Sequence, residues 1–228
     1  MQLYQILFLV VYAVLLFIYF FVEVRQNRTN RIVVKTILAV LYFALAVVGS
    51  ALNFTRPIIQ IAMLVGLVFT LAGDIFLVTT NTKEGLVNGG IIFYVGNIAL
   101  LATLVYMINI FGVPFTTYSW GLLGCFVLFI LIIVAQRLKL ISFGNSAWLV
   151  VAYLMTISIC ALLSICIATY RQSVFATLFA VGMTLFMISD YFIVLYNYKW
   201  RKKSILICNS ASYFAGIFLV ALSLGFLL

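Results

Sequence analysis

Four carboxylates occur in a chain of 228 residues, and two of them, Asp74 and Asp190, lie deep inside long apolar runs. Their surroundings read VGLVFTLAGDIFLVTTN and VGMTLFMISDYFIVLYN. Glu23 and Glu84 fall at the ends of such runs, where water is expected to reach them. An aspartate at the centre of a membrane helix costs roughly 2.5–3.5 kcal/mol on insertion scales, so a chain this poor in acids is expected to use the two it places there. Two neighbouring carboxyls share protons and can hold one acid protonated beside an ionised partner. That is what general acid chemistry at neutral pH requires. The alternative is a packing role, in which each aspartate bonds a neighbouring helix; asparagine or serine would do that at lower cost.

The other polar candidates are secondary. Asn97 follows Gly96 in the fourth apolar run and is placed to contact a buried carboxylate. Tyr94, Tyr153 and Tyr213 are possible hydroxyl donors, although a tyrosine in a chain with 16% aromatic residues is more often packing or an interfacial anchor. Asn81 and Asn197 lie seven residues beyond the two aspartates, on the same helix faces. Thr70 lies one turn before Asp74 and is expected to bond its own helix backbone. Lys83 and Lys199 each follow an aspartate run and suit lipid phosphates on the cytosolic side.

The elements that must position these groups are membrane helices. The chain is 67% hydrophobic and 7% charged, whereas soluble domains carry about 25% charged residues. A spanning helix needs roughly 20 apolar residues. Eight segments qualify, near 3–22, 33–52, 58–80, 87–108, 118–136, 146–168, 174–196 and 204–227. The expectation is an all-α polytopic membrane protein in a single transmembrane domain, 1–228. The first run lacks a basic leader and a small-residue cleavage site, so it reads as a true span rather than a signal peptide.

Eleven of the thirteen Lys and Arg residues fall at the odd connections, with only Arg56 and Arg171 at the even ones. The positive-inside rule then puts both termini on the non-cytosolic side. The net charge of +9 belongs to this topology and to anionic headgroups, not to nucleic acid. Asn53-Phe54-Thr55 matches a glycosylation sequon, but lies almost on the bilayer. Cys125, Cys160, Cys166 and Cys208 have no C-x-x-C spacing and read as small buried hydrophobes. There is no histidine, no G-x-S-x-G elbow and no H-E-x-x-H helix. No cofactor or metal site is expected, since two aspartates are a thin ligand set for Mg²⁺ or Ca²⁺.

The third and seventh runs align at an offset of 116. Val65, Gly66, Asp74, Phe76, Val78 and Asn81 meet Val181, Gly182, Asp190, Phe192, Val194 and Asn197, and Gly73 meets Ser189. Phe93-Tyr94-Val95-Gly96 resembles Tyr213-Phe214-Ala215-Gly216 in the next pair of runs. The reading is two parallel four-helix halves, roughly 1–112 and 113–228. Both aspartates then lie at one depth, roughly 9 Å inside the cytosolic boundary. They would share a cavity if their helices are neighbours. Gly66, Gly73, Gly89, Gly90, Gly96 and Gly182 are expected to permit close helix approach.

Ala72-Gly73-Asp74-Ile75-Phe76-Leu77 and Leu185-Phe186-Met187-Ile188-Ser189-Asp190, set in eight short-looped helices, resemble the YhhN family, that of the lysoplasmalogenases. The resemblance covers the whole chain. It implies hydrolysis of the vinyl ether bond of a lysoplasmalogen to a fatty aldehyde and a glycerophospho-ethanolamine or -choline, with Asp74 and Asp190 as the acid and base pair. The implied partners are the lysophospholipid and membrane lipid. The expected location is a bacterial cytoplasmic membrane. Two departures stand out: Asn97 occupies the position of a family histidine, and Gly216 that of a glutamine. The competing readings are a proton-coupled transporter and a catalytically inactive lipid-binding relative.

Overall fold

The computed structural model describes residues 2–25, 28–80, 83–141, 143 and 147–227, and does not describe the side chains of 24, 28 and 83–86. Eight helices form: α1 (Leu3–Arg25), α2 (Arg28–Leu52), α3 (Pro57–Thr80), α4 (Lys83–Ile110), α5 (Phe115–Arg137), α6 (Ala147–Arg171), α7 (Val174–Tyr198) and α8 (Lys203–Ser223). A 3₁₀ turn, Leu224–Phe226, follows α8. All eight are long and apolar enough to cross a membrane, and no strand occurs among the described residues. The chain is an integral membrane protein. In hydrocarbon each backbone N–H and C=O must be bonded within the chain, and helices do this segment by segment.

The helices extend past the apolar runs into the flanking polar residues. Thus α2 begins at Arg28 and includes Arg31 and Lys35, rather than beginning at 33. Pro57 takes the first position of α3, where its missing N–H costs no helical bond. Ser173 caps α7, its hydroxyl accepting from the Ala176 N–H. At the end of α4, Gly112 adopts φ 62°, which lets the Val113 N–H reach back to the Ile108 carbonyl at 3.0 Å.

The chain forms two compact units, Met1–Leu100 with Ala221–Leu228, and Leu101–Val220. These are units of packing. The halves 1–112 and 113–228 are a statement about duplicated sequence and stay a proposal.

In the first unit α2 is central. It packs on α1, on α3 and on the C-terminal 3₁₀ turn. Leu38, Tyr42, Leu45, Met63 and Leu67 are fully buried there. α3 meets α4 where glycine faces glycine: a Cβ on Gly96 would stand 3.0 Å from the Gly66 carbonyl oxygen. A ring of Phe93 fills the space beside Gly73. Gly90 has open space around it, so it is not one of the close-approach glycines. The sequon residues are engaged in the fold. The Asn53 amide donates to the Gly225 carbonyl at 2.6 Å, and the Thr55 hydroxyl to that of Leu227 at 2.8 Å.

In the second unit α6 packs between α5 and α7. α7 meets α8 through another glycine pair, where a Cβ on Gly216 would stand 2.7 Å from the Gly182 carbonyl oxygen. The helices differ in how much of them is covered: only 17% of the most apolar window of α1 and of α5 is buried, against 56% for α6. Leu7, Phe17, Phe126 and Leu131 are among the exposed apolar side chains.

Candidate functional site

Asp74 sits on α3 six residues before the helix end and is 1% exposed. Two groups from α2 reach it. The Lys35 ammonium lies 3.1 Å from Oδ1. The Tyr42 hydroxyl donates to Oδ2 at 3.3 Å. Lys35 and Tyr42 are seven residues apart, two turns along one face of α2, so one helix surface delivers both. A charge-compensated pair is how a membrane interior tolerates either ion. Thr70, one turn earlier on α3, is buried with its hydroxyl donating to the Gly66 carbonyl at 3.0 Å, the local bond expected of it.

Asp190 sits on α7 and is 5% exposed. The Tyr153 hydroxyl, from α6, donates to Oδ2 at 2.6 Å. The Ser189 hydroxyl is 3.5 Å from Oδ1 and donates chiefly to the Phe186 carbonyl at 2.8 Å. Tyr153 is held in an apolar cluster of Ile132, Phe143, Leu154 and Val194, beside Tyr191. The Tyr191 and Ser158 hydroxyls are 3.1 Å apart. Asn209 on α8 donates to the Ser189 carbonyl at 2.8 Å, tying the aspartate segment to the next helix.

The two aspartates thus have a common local plan. In each unit the aspartate helix takes a tyrosine hydroxyl from the helix before it, Tyr42 for Asp74 and Tyr153 for Asp190. The aspartate helix also crosses the following helix on a glycine pair. Seven residues before Tyr42 stands Lys35, whereas seven before Tyr153 stands Ser146.

A protein-family comparison addresses the chain as a whole. The family model for the YhhN family matches residues 30–224. The chain belongs to the YhhN family. No curated protein and no solved structure matches it.

The structure of this YhhN protein sorts the remaining candidates. Tyr153, one of the expected hydroxyls, reaches Asp190. Tyr213 is buried and makes edge contacts with Phe186 and Phe214. Tyr94 is half-buried on α4. Asn97 is completely buried on α4, directly after the Gly96 crossing point. Asn197 is half-buried, its amide donating to the Ile193 carbonyl of its own helix at 2.8 Å. Lys199 is exposed and lies over the Trp200 ring, 4.5 Å from its centre. Asn81 and the Lys83 and Glu84 side chains lie outside the described residues. Among the described residues, no group of three His, Cys, Asp or Glu side chains is placed to hold a metal ion.

Two functional groups are not evident in the sequence, and one expectation is corrected. By sequence Lys35 groups with the loop cations, yet it is a helix residue paired to Asp74. Its position inside the 33–52 apolar run is the available signal, because a lysine at membrane depth is a functional hypothesis by default. Tyr42 is one of thirteen tyrosines and carries no signal beyond its spacing from Lys35. Glu23, expected in water, is only 7% exposed. The α1–α2 connection is short, so α2 folds back over the end of α1 and brings Arg31 to 3.6 Å from the Glu23 carboxylate.

Proposed function

We propose that this protein is a membrane-embedded lipid hydrolase that cleaves the vinyl ether bond of lysoplasmalogens by carboxyl acid–base catalysis. The observation that carries the reading is the pair of buried aspartates, each bonded to a tyrosine from its preceding helix in a chain with four acids. Membership of the YhhN family supports it.

Vinyl ether hydrolysis begins when an acid protonates the β-carbon, leaving an oxocarbenium ion at the α-carbon. Water adds to that carbon and loses a proton to a base. The hemiacetal then collapses: the bond from its carbon to the glycerol oxygen breaks, the hemiacetal hydroxyl gives up its proton and the glycerol oxygen takes one, releasing the fatty aldehyde and the free glycerol hydroxyl. One water is consumed. We assign proton donation to Asp190, whose Oδ2 is steadied by Tyr153. We assign cation stabilisation and acceptance of the water proton to Asp74, whose charge is compensated by Lys35. Carboxyl acids and bases of this kind contribute about 10²–10⁴-fold each.

The test is aldehyde release from a lysoplasmalogen by purified protein. Asp74→Asn and Asp190→Asn variants are each expected to lose about 10²–10⁴-fold in rate while remaining folded in detergent. A parent protein that releases no aldehyde from any vinyl ether lipid would sink the hydrolase reading.

A further inference from the structure

The α1–α2 end of the first unit carries two charged residues, Glu23 and Arg31, that the chemistry at Asp74 does not use, and Lys35 lies between them and Asp74. Glu23 ends up 7% exposed, with Arg31 Nη1 3.6 Å from one of its oxygens, Oε1. The other oxygen, Oε2, is buried and accepts no hydrogen bond from any described residue. A desolvated carboxylate oxygen without a donor is unfavourable, so this position favours a ligand that brings N–H groups. Arg31 and Lys35 keep 34% and 18% of their side chains exposed. They are four residues apart on one face of α2, about 6 Å along its axis. Two part-exposed cations at that spacing suit the oxygens of one phosphate. Beyond Lys35 the same helix face reaches Asp74.

A phosphate joined by a short linker to a primary ammonium satisfies all three groups. We propose that Glu23, Arg31 and Lys35 form the headgroup subsite for an ethanolamine lysophospholipid. Arg31 and Lys35 take the phosphate, and Glu23 takes the ammonium. The glycerol end of the lipid is then directed along α2 toward Asp74; this part rests on the hydrolase reading above. The subsite discriminates between headgroups. A primary ammonium donates an N–H to Oε2, whereas the trimethylammonium of choline has none to give. A purely structural pair, in which Arg31 and Glu23 only hold α2 against α1, would confer no headgroup preference.

Binding separates these. Full-length protein in detergent is titrated with ester-linked lysophosphatidylethanolamine, lysophosphatidylcholine and lysophosphatidic acid of one tail length. None of the three carries a vinyl ether. The ethanolamine lipid is expected to bind about tenfold more tightly than the choline lipid, the size of one charge-assisted hydrogen bond. Glu23→Gln is expected to remove that preference and leave lysophosphatidic acid unaffected. Arg31→Gln is expected to weaken all three. A parent protein with no preference for the primary ammonium overturns the proposal, whatever the variants do. So does a Glu23→Gln variant that binds all three lipids equally less well. Glu23→Asp keeps the charge and provides a second variant, expected to retain part of the preference. Free O-phosphoethanolamine that displaces the lysolipid at equal concentration would overturn the assignment to a lipid. An ethanolamine preference in a protein that releases no aldehyde would keep the subsite and remove the hydrolase.

Discussion

Lys35 and Asp74 form a charge pair at 3.1 Å in which the lysine is 18% and the aspartate 1% exposed. Breaking one side of such a pair leaves an uncompensated charge in a low-dielectric interior, which costs about 3–5 kcal/mol in buried pairs. Lys35→Met is therefore expected to lower the thermal midpoint in detergent strongly. The Lys35→Met/Asp74→Asn double variant is expected to recover most of that loss, because no charge is then left alone. Equal losses in the single and double variants would show that the two residues are not coupled. The aspartates are legible in the sequence because an acid in an apolar run is rare and costly. Lys35 is not, because it sits three residues inside its run and adjoins a cluster of loop cations. Hydropathy averages over a window and cannot tell a cation at a helix end from one that turns inward to a carboxylate.

At the scale of elements, each aspartate helix is placed by the next helix in the chain. α3 crosses α4 at Gly66 and Gly96, and α7 crosses α8 at Gly182 and Gly216, in each case with a carbonyl oxygen at the position a Cβ would crowd. Lipid tails are as apolar as leucine, so helices in a bilayer gain their association from close backbone approach rather than from escaping water. Gly182→Val is expected to destabilise the protein by about 1–3 kcal/mol, the usual cost of overpacking. Gly90→Ala, at a position with open space, is the neutral control. Thermal unfolding of both variants checks this, and equal midpoints would remove the crossing from the account. Register and small size point to these glycines in the sequence. They do not separate Gly66 from Gly90, since both are merely small residues in apolar helices until a neighbour is placed beside them.

For the molecule as a whole, the bias of cations toward the odd connections predicts that both termini lie on the non-cytosolic face. Placing Lys35 inside the protein removes one cation from that bias and leaves its direction unchanged. A reporter active only outside the cytosol, fused to either end, is expected to be active in both positions; silence at either end overturns the orientation. The Asn53 sequon is not expected to carry a glycan in the folded protein, because its amide is bonded to the Gly225 carbonyl and Thr55 to that of Leu227. Those bonds join residues 172 positions apart, and no local pattern announces them.

The sequence by itself determined the solvent, the eight helices, the two acids and the family motifs. Each of these depends on composition or on spacing along one helix, where geometry repeats every 3.6 residues. Tertiary structure decided the partners: Lys35 and Tyr42 for Asp74, Tyr153 for Asp190, Arg31 for Glu23. These contacts depend on how one helix is rotated against the next. In a bilayer that rotation is set by small residues and buried polar groups rather than by a hydrophobic face turned from water. Apart from α2, the helices carry little of the amphipathic pattern that would have oriented them in a soluble protein.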